Sequence, residues 1–380
     1  MKLEVNSQDF ANAVNWTTHI ISPRPAAPIL AGVKLDAADG ILNLSVFNYE
    51  VTARHHIEAS IEEAGTIIVL GKLLADIAKN LPAEKTTLVT EGSRLIIRSG
   101  KSKFVLQLMP ESDYPSMPEI PESIGQVDGE TLAHAIAQAS VSVAKNTNRP
   151  ILTAILMEFN GNKVTMSSTD SFRVSQVTFS WTPVNPDIAT SILVRGSLLS
   201  DVARTIDTTQ NVTLSFDPDD PKLLAVENAG RVSTMQLMSS EFPNVGSMFP
   251  KEYPYQAVLN RNDVLGALQR VSLVSDHKSM VRFSFAHDGL TLYAGAADES
   301  QASETIPVDY DGEDLAVAFN PSNLVEGFKA IDEPYVRIKM VDAPRKDVSR
   351  KIVEINGQQE ADSDESTDFR YMLATVHFSD

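Results

Sequence analysis

The sequence predicts an α+β protein made of three tandem repeats of about 125 residues each, within a chain of 380 residues. Two observations support this prediction. One apolar pattern recurs three times along the chain, and proline-rich connectors separate the copies. Each copy is interpreted as a strand, a helix, a β-meander, a second helix and a further meander.

The apolar pattern aligns without gaps over its central strands. Residues 33–35 (VKL) align with 155–157 (ILM) and 281–283 (VRF), at offsets of 122 and 248. The same offsets superpose a second set of apolar triplets: 42–44, 164–166 and 290–292. Because a repeated pattern indicates a repeated supersecondary unit, the three copies are expected to share one fold.

Helices and strands follow from the period of the apolar residues. Phe10, Val14 and Thr17 have the spacing of one helix face. The corresponding positions in the later copies are Leu132, Ile136 and Ala139, then Val264, Leu268 and Val271. A second helix is predicted near residues 73–77, 198–202 and 323–326. Alternating residues predict further strands at 87–89, 95–98, 104–108, 211–216 and 231–237.

Domain boundaries are predicted in two proline-rich connectors, residues 115–125 (PSMPEIPESIG) and 243–255 (PNVGSMFPKEYPY). The predicted domains are therefore 1–120, 126–250 and 256–380.

Composition limits the classes of function. The chain has no cysteine, which excludes disulfides and thiolate metal sites, and no apolar stretch approaches the ~18 residues of a membrane helix. A soluble cytoplasmic protein is predicted. The net charge of −18 argues against nucleic-acid binding only if the charge is evenly spread. Part of this charge lies in residues 357–368, which are predicted to form a solvated, mobile loop.

The segment SSTDSFRVS, residues 167–175, combines hydroxyl, carboxylate and guanidinium groups as an active site would. However, no titratable partner lies near Asp170 in sequence, and a carboxylate beside hydroxyls more often makes turn hydrogen bonds. Catalysis is therefore the weaker interpretation. His55 and His56 lie on one predicted strand with side chains on opposite faces, so no metal site is predicted there. No cofactor is predicted.

Basic residues recur at comparable places in the repeats. One set lies near the start of the predicted Pro-Ile-Leu strand or its equivalent: Arg24, Arg149, and His277 with Lys278. A second set, Lys72 and Arg204, lies on or near the second helices. A solvated helix face would explain any one of them. A single basic surface would explain all of them, and the residues alone leave both interpretations open.

Four local motifs accompany the repeats: Arg24-Pro25 before residues 28–30 (PIL), the run 169–174, Phe242-Pro243, and the ending 371–373 (YML). In this order and spacing the chain resembles, over essentially its whole length, the bacterial sliding clamp, which is the β subunit of DNA polymerase III. The resemblance implies a non-catalytic processivity factor. It also implies a head-to-tail homodimeric ring of clamp-fold domains, with helices lining a central hole around duplex DNA and antiparallel sheets outside.

The resemblance also implies partners and site residues. The expected partners are double-stranded DNA bound without sequence preference, the polymerase III catalytic subunit, the clamp loader, and other polymerases and repair proteins that carry clamp-binding motifs. DNA contacts are expected from Arg24, Asn148, Arg149, Lys72 and Arg204. A partner-peptide pocket is expected from Leu152, Thr169, Ser171, Phe172, Arg173, Val174, Pro243, Met248, Met372, Leu373 and Ala374. The dimer interface is expected to include Phe104 and Leu273.

One departure from the family pattern bears on the pocket. Ala374-Thr375 stands where the family commonly has Met-Pro, so the pocket could be shallower or prefer a different ligand. Together with the charge of −18, this keeps open a clamp-fold interaction scaffold that does not encircle DNA. An enzyme that uses Asp170 is the third alternative.

Overall fold

The computed structural model describes residues 1–274, 280–295, 300–342 and 351–377. Within those residues each repeat contains nine strands and two helices in the same order. The predicted order of strand, helix, meander, helix and meander is therefore confirmed. His277 and Lys278 lie outside the described residues.

The first repeat begins with a strand whose last residue, Asn6, caps the first helix. The Asn6 side chain accepts hydrogen bonds from the backbone N–H groups of Gln8 and Asp9, at 2.8 and 3.1 Å, which satisfies two donors of the first turn. The elements are β1 Lys2–Asn6, α1 Ser7–Thr18, β2 Gly32–Ala38, β3 Ile41–Phe47, β4 Val51–Glu58, β5 Ser60–Glu63, β6 Gly65–Leu70, α2 Gly71–Ala78, β7 Lys85–Glu91, β8 Arg94–Ser99 and β9 Ser102–Met109.

The second repeat follows the same order. Its elements are β10 Ser123–Asp128, α3 Gly129–Ser140, β11 Ala154–Asn160, β12 Lys163–Thr169, β13 Arg173–Ser180, β14 Thr182–Pro183, β15 Ala189–Arg195, α4 Gly196–Ala203, β16 Asn211–Ser215, β17 Leu223–Asn228 and β18 Arg231–Gln236.

The third repeat again uses asparagine caps, Asn260 and Asn320, at the starts of its two helices. Its elements are β19 Tyr255–Asn260, α5 Arg261–Val271, β20 Val281–Ala286, β21 Gly289–Gly295, β22 Gln301–Ile306, β23 Asp309–Asp311, β24 Leu315–Phe319, α6 Pro321–Lys329, β25 Tyr335–Asp342, β26 Lys351–Gln358 and β27 Phe369–Ala374.

The predicted helix faces are buried in all three repeats. Phe10, Val14 and Thr17 of α1 are each 0% exposed. The equivalent residues of α3 and α5 are also buried: Leu132, Ile136, Ala139, Val264, Leu268 and Val271. Burying a large aliphatic or aromatic side chain contributes roughly 1.5–3 kcal/mol, so this face is a main reason why the helices pack on the sheets. Among the described residues, no helix is long and apolar enough to cross a membrane.

The Pro-Ile-Leu triplets are not strands, contrary to prediction. They form 3-10 turns, Pro28–Ala31 and Pro150–Thr153, immediately before β2 and β11. Proline suits this position because its fixed φ favours a first helical residue and its missing N–H is not needed there.

The chain divides into two compact units that cut across the second repeat. Unit 1 comprises Met1–Glu130, Thr182–Asn185 and Asp201–Leu237. Unit 2 comprises Thr131–Trp181, Pro186–Ser200 and Met238–Asp380.

Each unit contains one sheet that joins two repeats. In unit 1 the strand order is β14-β10-β16-β17-β18-β4-β3-β2-β6-β9-β8-β7-β1-β5, and the repeats meet where β18 pairs with β4. In unit 2 the order is β15-β11-β12-β13-β27-β26-β25-β19-β23, and the repeats meet where β27 pairs with β13. The fourth strand of one repeat thus pairs with the ninth strand of the next in both sheets.

Two strands whose counterparts join repeats elsewhere keep an open edge in the described part of the chain. The fourth strand of the third repeat, β22, ends the four-stranded sheet β22-β21-β20-β24 in unit 2. The ninth strand of the first repeat, β9, pairs with β6 only through Leu108 and Met109, so its earlier residues have a neighbour on one side.

The acidic segment 357–368 continues beyond β26 as a loop in which Glu360, Asp362, Asp364 and Asp368 are exposed, as predicted for a solvated segment, and its Glu365 and Ser366 are anchored to the sheet. The carboxylate of Glu365 contacts Lys339 and lies 3.2 Å from the Arg337 guanidinium. The Ser366 N–H donates to the Gly357 carbonyl at 2.7 Å. Two basic residues on β25 therefore hold the segment against the strands.

Candidate functional site

The candidate groove begins where β13 and β27 pair in unit 2. Val174 lies opposite Met372, and these two side chains form an apolar cluster with Val245 and Phe249. All four are less than 9% exposed. Paired residues of an antiparallel sheet share a face, so the strands present one apolar surface and the connector before β19 packs on it.

The rim of this cluster is exposed. Phe172 is 70% exposed and Met248 is 45% exposed, while Ser171 and Ala374 also reach the surface and Pro243 is half-buried. Exposed large apolar side chains beside a buried apolar cluster are typical of docking sites.

Four of the predicted pocket residues are buried, and one of them, Thr169, pairs with Val174 and shares its face. Leu152 and Thr169 are each 4% exposed, and Leu373 is 2% exposed. Leu373 pairs with Arg173, so both lie on the sheet face opposite Val174 and Met372. The groove at this rim is therefore formed chiefly by the other predicted residues, and direct peptide contacts by these four stay predictions.

The turn between β12 and β13 is held by its own polar side chains. The Asp170 Oδ1 accepts hydrogen bonds from the N–H groups of Phe172 and Arg173, at 2.9 and 3.1 Å. The Thr169 hydroxyl donates to the Arg173 carbonyl at 2.8 Å. Ser171 has a φ of +77°, a left-handed conformation that this hydrogen bonding maintains. The prediction that Asp170 braces the turn is confirmed.

Arg173 links this turn to α6. Its guanidinium lies 2.9 Å from Asp170 Oδ2 and 2.7 Å from Glu326 Oε2, and it donates to the Tyr371 hydroxyl at 3.3 Å. Lys145 Nζ lies 3.3 Å from the second oxygen of Glu326. The cluster stabilises the turn and occupies both oxygens of Asp170.

The ionisation of the cluster follows from these contacts. Burial would raise the pKa of Glu326, but the hydrogen bonds and charges of Arg173 and Lys145 hold it below its ordinary value. Burial raises the pKa of Tyr371 to about 12, so its hydroxyl is neutral at pH 7. Fixed charges and a neutral phenol suit a structural cluster rather than proton transfer.

No metal site accompanies these residues. Within the described ranges no group of three or more histidine or acidic side chains could hold a metal ion. His55 and His56 both lie on β4, with His55 partly buried and His56 exposed. Burial, helped by the charge of Arg231, lowers the pKa of His55 to about 4 and keeps the ring neutral.

The predicted DNA-contacting arginines occupy two similar turns. The Arg24 N–H donates to the Ser22 hydroxyl at 3.2 Å, and the Arg149 N–H donates to the Thr147 hydroxyl at 3.1 Å. Both arginines are exposed, as is Asn148. Each turn therefore presents a guanidinium to solvent just before or close to a 3-10 turn.

The two helix-associated basic residues differ. Lys72 is exposed on α2. Arg204 follows the last residue of α4, and its guanidinium lies 2.7 Å from the Asp201 carboxylate. The positive charge of Arg204 is therefore partly neutralised by Asp201, which makes Lys72 the stronger candidate for a phosphate contact.

The two predicted interface residues also have distinct settings. Phe104 lies on β9, partly buried against the core of unit 1. Leu273 lies in the 3-10 turn Ser272–Val274 after α5 and is 84% exposed.

Two groups of residues are not predicted by the sequence. Val245 and Phe249 were assigned to a connector, although two apolar residues four apart in a proline-rich segment are a signal of packing. From the sequence, Glu326 is predicted only to belong to a repeated helix. Its partner Arg173 is 153 positions earlier in the sequence, so no local pattern could reveal the pair.

Comparison with known proteins follows the same division into repeats. The models of the DNA polymerase III beta subunit N-terminal, central and C-terminal domains match residues 1–118, 126–244 and 246–357. The beta sliding clamp of Streptomyces coelicolor is 36% identical over the full length of both chains. The beta sliding clamp homolog GriR of Streptomyces muensis is 30% identical over the full length of both.

Solved structures show the same fold. A sliding clamp of Pseudomonas aeruginosa bound to griselimycin superposes with a TM-score of 0.90 at 21% identity, covering 100% of both chains. The DNA polymerase sliding clamp of Bacillus subtilis gives 0.90 at 20% identity, with the same coverage. The chain therefore belongs to the DNA polymerase III β subunit family, whose members are sliding clamps and non-catalytic processivity factors.

Proposed function

We propose that two copies of this chain close head to tail into a ring around duplex DNA and tether DNA polymerase III to its template. The repeated junction carries this proposal. In the pairs β4 with β18 and β13 with β27, the fourth strand of one repeat pairs with the ninth strand of the next. The remaining fourth strand, β22, and the remaining ninth strand, β9, have open edges in the described chain. A second copy supplies both missing partners, which also removes two exposed edges.

The three clamp domains are proposed to span 1–120, 126–250 and 256–380, so that a two-chain ring contains six equivalent units. The repeat pattern also supports a register for the new junction. Ser233 of β18 pairs with Ala53 of β4. The hairpin registers place Phe104 of β9 at the position of Ser233, and Ala302 of β22 at the position of Ala53. The proposed interface therefore sets Phe104 of one copy opposite Ala302 of the other.

Exposed apolar residues support the same closure. Val105 on β9 is 50% exposed and Leu273 is 84% exposed. Val105 lies on the open strand β9, and Leu273 lies in the 3-10 turn that contacts the open strand β22. Pairing of β9 with β22 of a second copy is the arrangement that covers such side chains.

The proposed DNA contacts are Arg24, Asn148, Arg149 and Lys72, with Arg204 as a weaker contributor because Asp201 neutralises part of its charge. A few exposed cations give screened, sequence-independent contacts to phosphates. The net charge of −18 supports retention by topology rather than by tight binding, because most of the surface repels DNA.

The groove around Val174 and Met372 is proposed to bind short linear motifs of the polymerase, the clamp loader and repair proteins. The apolar cluster supplies the floor, and Phe172 and Met248 supply adaptable side chains at its rim. The proposed location is the cytoplasm, at the nucleoid.

Loading onto circular DNA tests the ring. The protein is loaded onto nicked circular DNA by a clamp loader, and the complex is isolated by gel filtration before and after linearisation. A sliding clamp remains on circles and leaves linear DNA through its ends. Retention that does not depend on DNA topology, or no retention on either form, would favour the scaffold that does not encircle DNA.

A further inference from the structure

The first repeat contains a second copy of the turn that shapes the proposed peptide groove. Asn48 occupies the place of Asp170, and its Oδ1 accepts hydrogen bonds from the N–H groups of Glu50 and Val51, at 3.1 and 2.8 Å. Tyr49 occupies the place of Ser171 and has a φ of +72°, against +77° for Ser171. A bulky aromatic residue rarely adopts this conformation, so the turn presents Tyr49 at a conformational cost.

A cavity of about 460 Å³ lies in unit 1 between the strands that adjoin this turn and the connector after β9. Lys34, Asn43 and Arg54 line it from the strands, while Tyr114 and Met117 line it from the connector. The Tyr114 hydroxyl accepts a hydrogen bond from the Phe47 N–H at 3.1 Å, which joins the connector to the turn.

An aromatic pair lies next to the cavity, since Phe47 is hydrogen-bonded through its N–H to the lining residue Tyr114. The ring of Phe47 lies 5.3 Å from that of Tyr49, centroid to centroid, and Tyr49 is 53% exposed. Tyr114 and Met117 in the lining provide apolar contact for one side chain of a ligand, and the exposed ring of Tyr49 beside them extends this surface.

Arg54 supplies an unmatched positive charge inside the cavity. No carboxylate in the described ranges forms an ion pair with it, although its guanidinium donates to the Pro118 carbonyl. Its Nε–H is buried without a hydrogen-bond partner. The two carboxylates that line the cavity are otherwise engaged, since Glu111 lies 3.9 Å from Lys34 Nζ and Asp36 accepts a hydrogen bond from Thr66. A partly buried cation without an ion-pair partner is costly, so a ligand carboxylate that reaches the Arg54 guanidinium from the cavity would be stabilising.

We propose that this cavity is a second docking site, which binds an extended peptide segment of a partner protein carrying a carboxylate side chain next to an apolar one. The carboxylate pairs with Arg54, and the apolar side chain packs between Tyr49, Tyr114 and Met117. A peptide fits better than a nucleic acid because Asp36 and Glu111 line the same cavity and would repel successive phosphates. The comparison of turns rests on the proposed groove in the second repeat, but the cavity and Arg54 do not.

Methyl NMR on the full-length protein with labelled methionines tests this site. Met117 reports on the cavity, whereas Met248 and Met372 report on the groove of the second repeat. The probes are acetyl-Leu-Phe-Glu-Leu-amide and the matched peptide with glutamine in place of glutamate. The glutamate peptide is expected to shift the Met117 methyl saturably, and the glutamine peptide is expected to bind at least tenfold more weakly.

Two variants and one control complete the test. Arg54→Met preserves length and packing but removes the charge, and it is expected to weaken the Met117 response at least tenfold. Tyr49→Asn tolerates the left-handed backbone and removes the ring, and it is expected to weaken the same response severalfold. Lys163→Met removes an exposed charge on β12 and should leave binding unchanged.

Three results would overturn the proposal: no saturable shift of Met117, equal binding of both peptides, or full binding by Arg54→Met. A stronger Met117 response to a hexathymidylate oligonucleotide than to the peptide would assign the cavity to nucleic acid instead. If only the methyls of Met248 or Met372 shift, the peptide binds the groove of the second repeat and not this cavity, which would exclude the second site.

Discussion

The guanidinium of Arg173 lies 2.7 Å from the carboxylate of Glu326, and this contact joins the start of β13 to helix α6. Arg173 is 7% exposed, so its charge is withdrawn from most solvent. The same side chain holds Asp170, which in turn caps the backbone beneath Phe172. The shape of the groove rim therefore depends on an ion pair that lies on the other face of the sheet.

Removing Arg173 should destabilise unit 2. For Arg173→Ala we expect a loss of about 3 kcal/mol, the low end for breaking a buried ion pair, because the Glu326 side chain is 38% exposed and partly screened. Lys145→Ala removes an exposed partner of the same carboxylate and should cost less than about 1 kcal/mol. Urea unfolding followed by Trp181 fluorescence in a Trp16→Phe background measures both; equal unfolding midpoints would contradict the assignment.

Polar substitutions in the apolar cluster should weaken peptide binding. For Val174→Asp and Met372→Ser we expect a ten- to hundredfold loss of affinity for a clamp-binding peptide, about 1.4–2.8 kcal/mol, because an apolar floor is replaced by groups that stay hydrated. Val184→Asp, on a residue that is 71% exposed in unit 1, is the matched control. Fluorescence polarisation measures the affinities. Unchanged binding by Met372→Ser and Leu152→Ser would show that the groove lies elsewhere.

Removing the turn arginines should weaken DNA contact without affecting peptides. The double variant Arg24→Ala, Arg149→Ala should load less efficiently on primed DNA, and the slope of log K against log salt should fall by about 0.9 for each lost phosphate contact. Peptide affinity should remain at the wild-type value, as it should for the control Lys163→Ala. An unchanged salt dependence would mean that neither arginine contacts phosphate.

His55 should make stability depend on pH. Its pKa is about 4 in the folded protein and about 6.5 when unfolded, so the unfolded state binds the proton more readily. The stabilising contribution of neutral His55 is complete above pH 6.5 and is lost as pH falls towards 4, by at most about 3 kcal/mol. His55→Gln should flatten this part of the stability profile relative to wild type, whereas His56→Gln, at an exposed site, should not. Parallel profiles for wild type and His55→Gln would contradict the shift.

Cysteine pairs should report the register of the proposed junction, and the absence of native cysteines makes the measurement clean. A protein with Phe104→Cys and Ala302→Cys should cross-link into covalent dimers on mild oxidation, because directly opposed residues lie within disulfide reach. Phe104→Cys with Glu304→Cys is the control, displaced by two residues to a diagonal position. Preferential cross-linking of the control pair would show a different register.

The sequence by itself determined the repeat. The order of elements follows from apolar residues at helical and strand spacing. This spacing is a local property of the sequence, and it occurs separately in each of the three copies. The braced turn at Asp170 could be predicted for the same reason, since its hydrogen bonds span three residues. The prediction that the Pro-Ile-Leu triplets are strands is wrong, because a triplet of apolar residues does not distinguish a 3-10 turn from a strand.

Only the tertiary structure decided which side of the sheet each groove residue serves. Val174 and Met372 share a face with Val245 and Phe249, whereas Arg173 and Leu373 point the other way, because adjacent residues of a strand alternate between faces. The partners Glu326 and Arg173 are distant in sequence, and pairing across β13 and β27 brings their elements together. The open edges of β9 and β22 likewise follow from sheet pairing, which depends on the whole chain and cannot be recognised in any one segment.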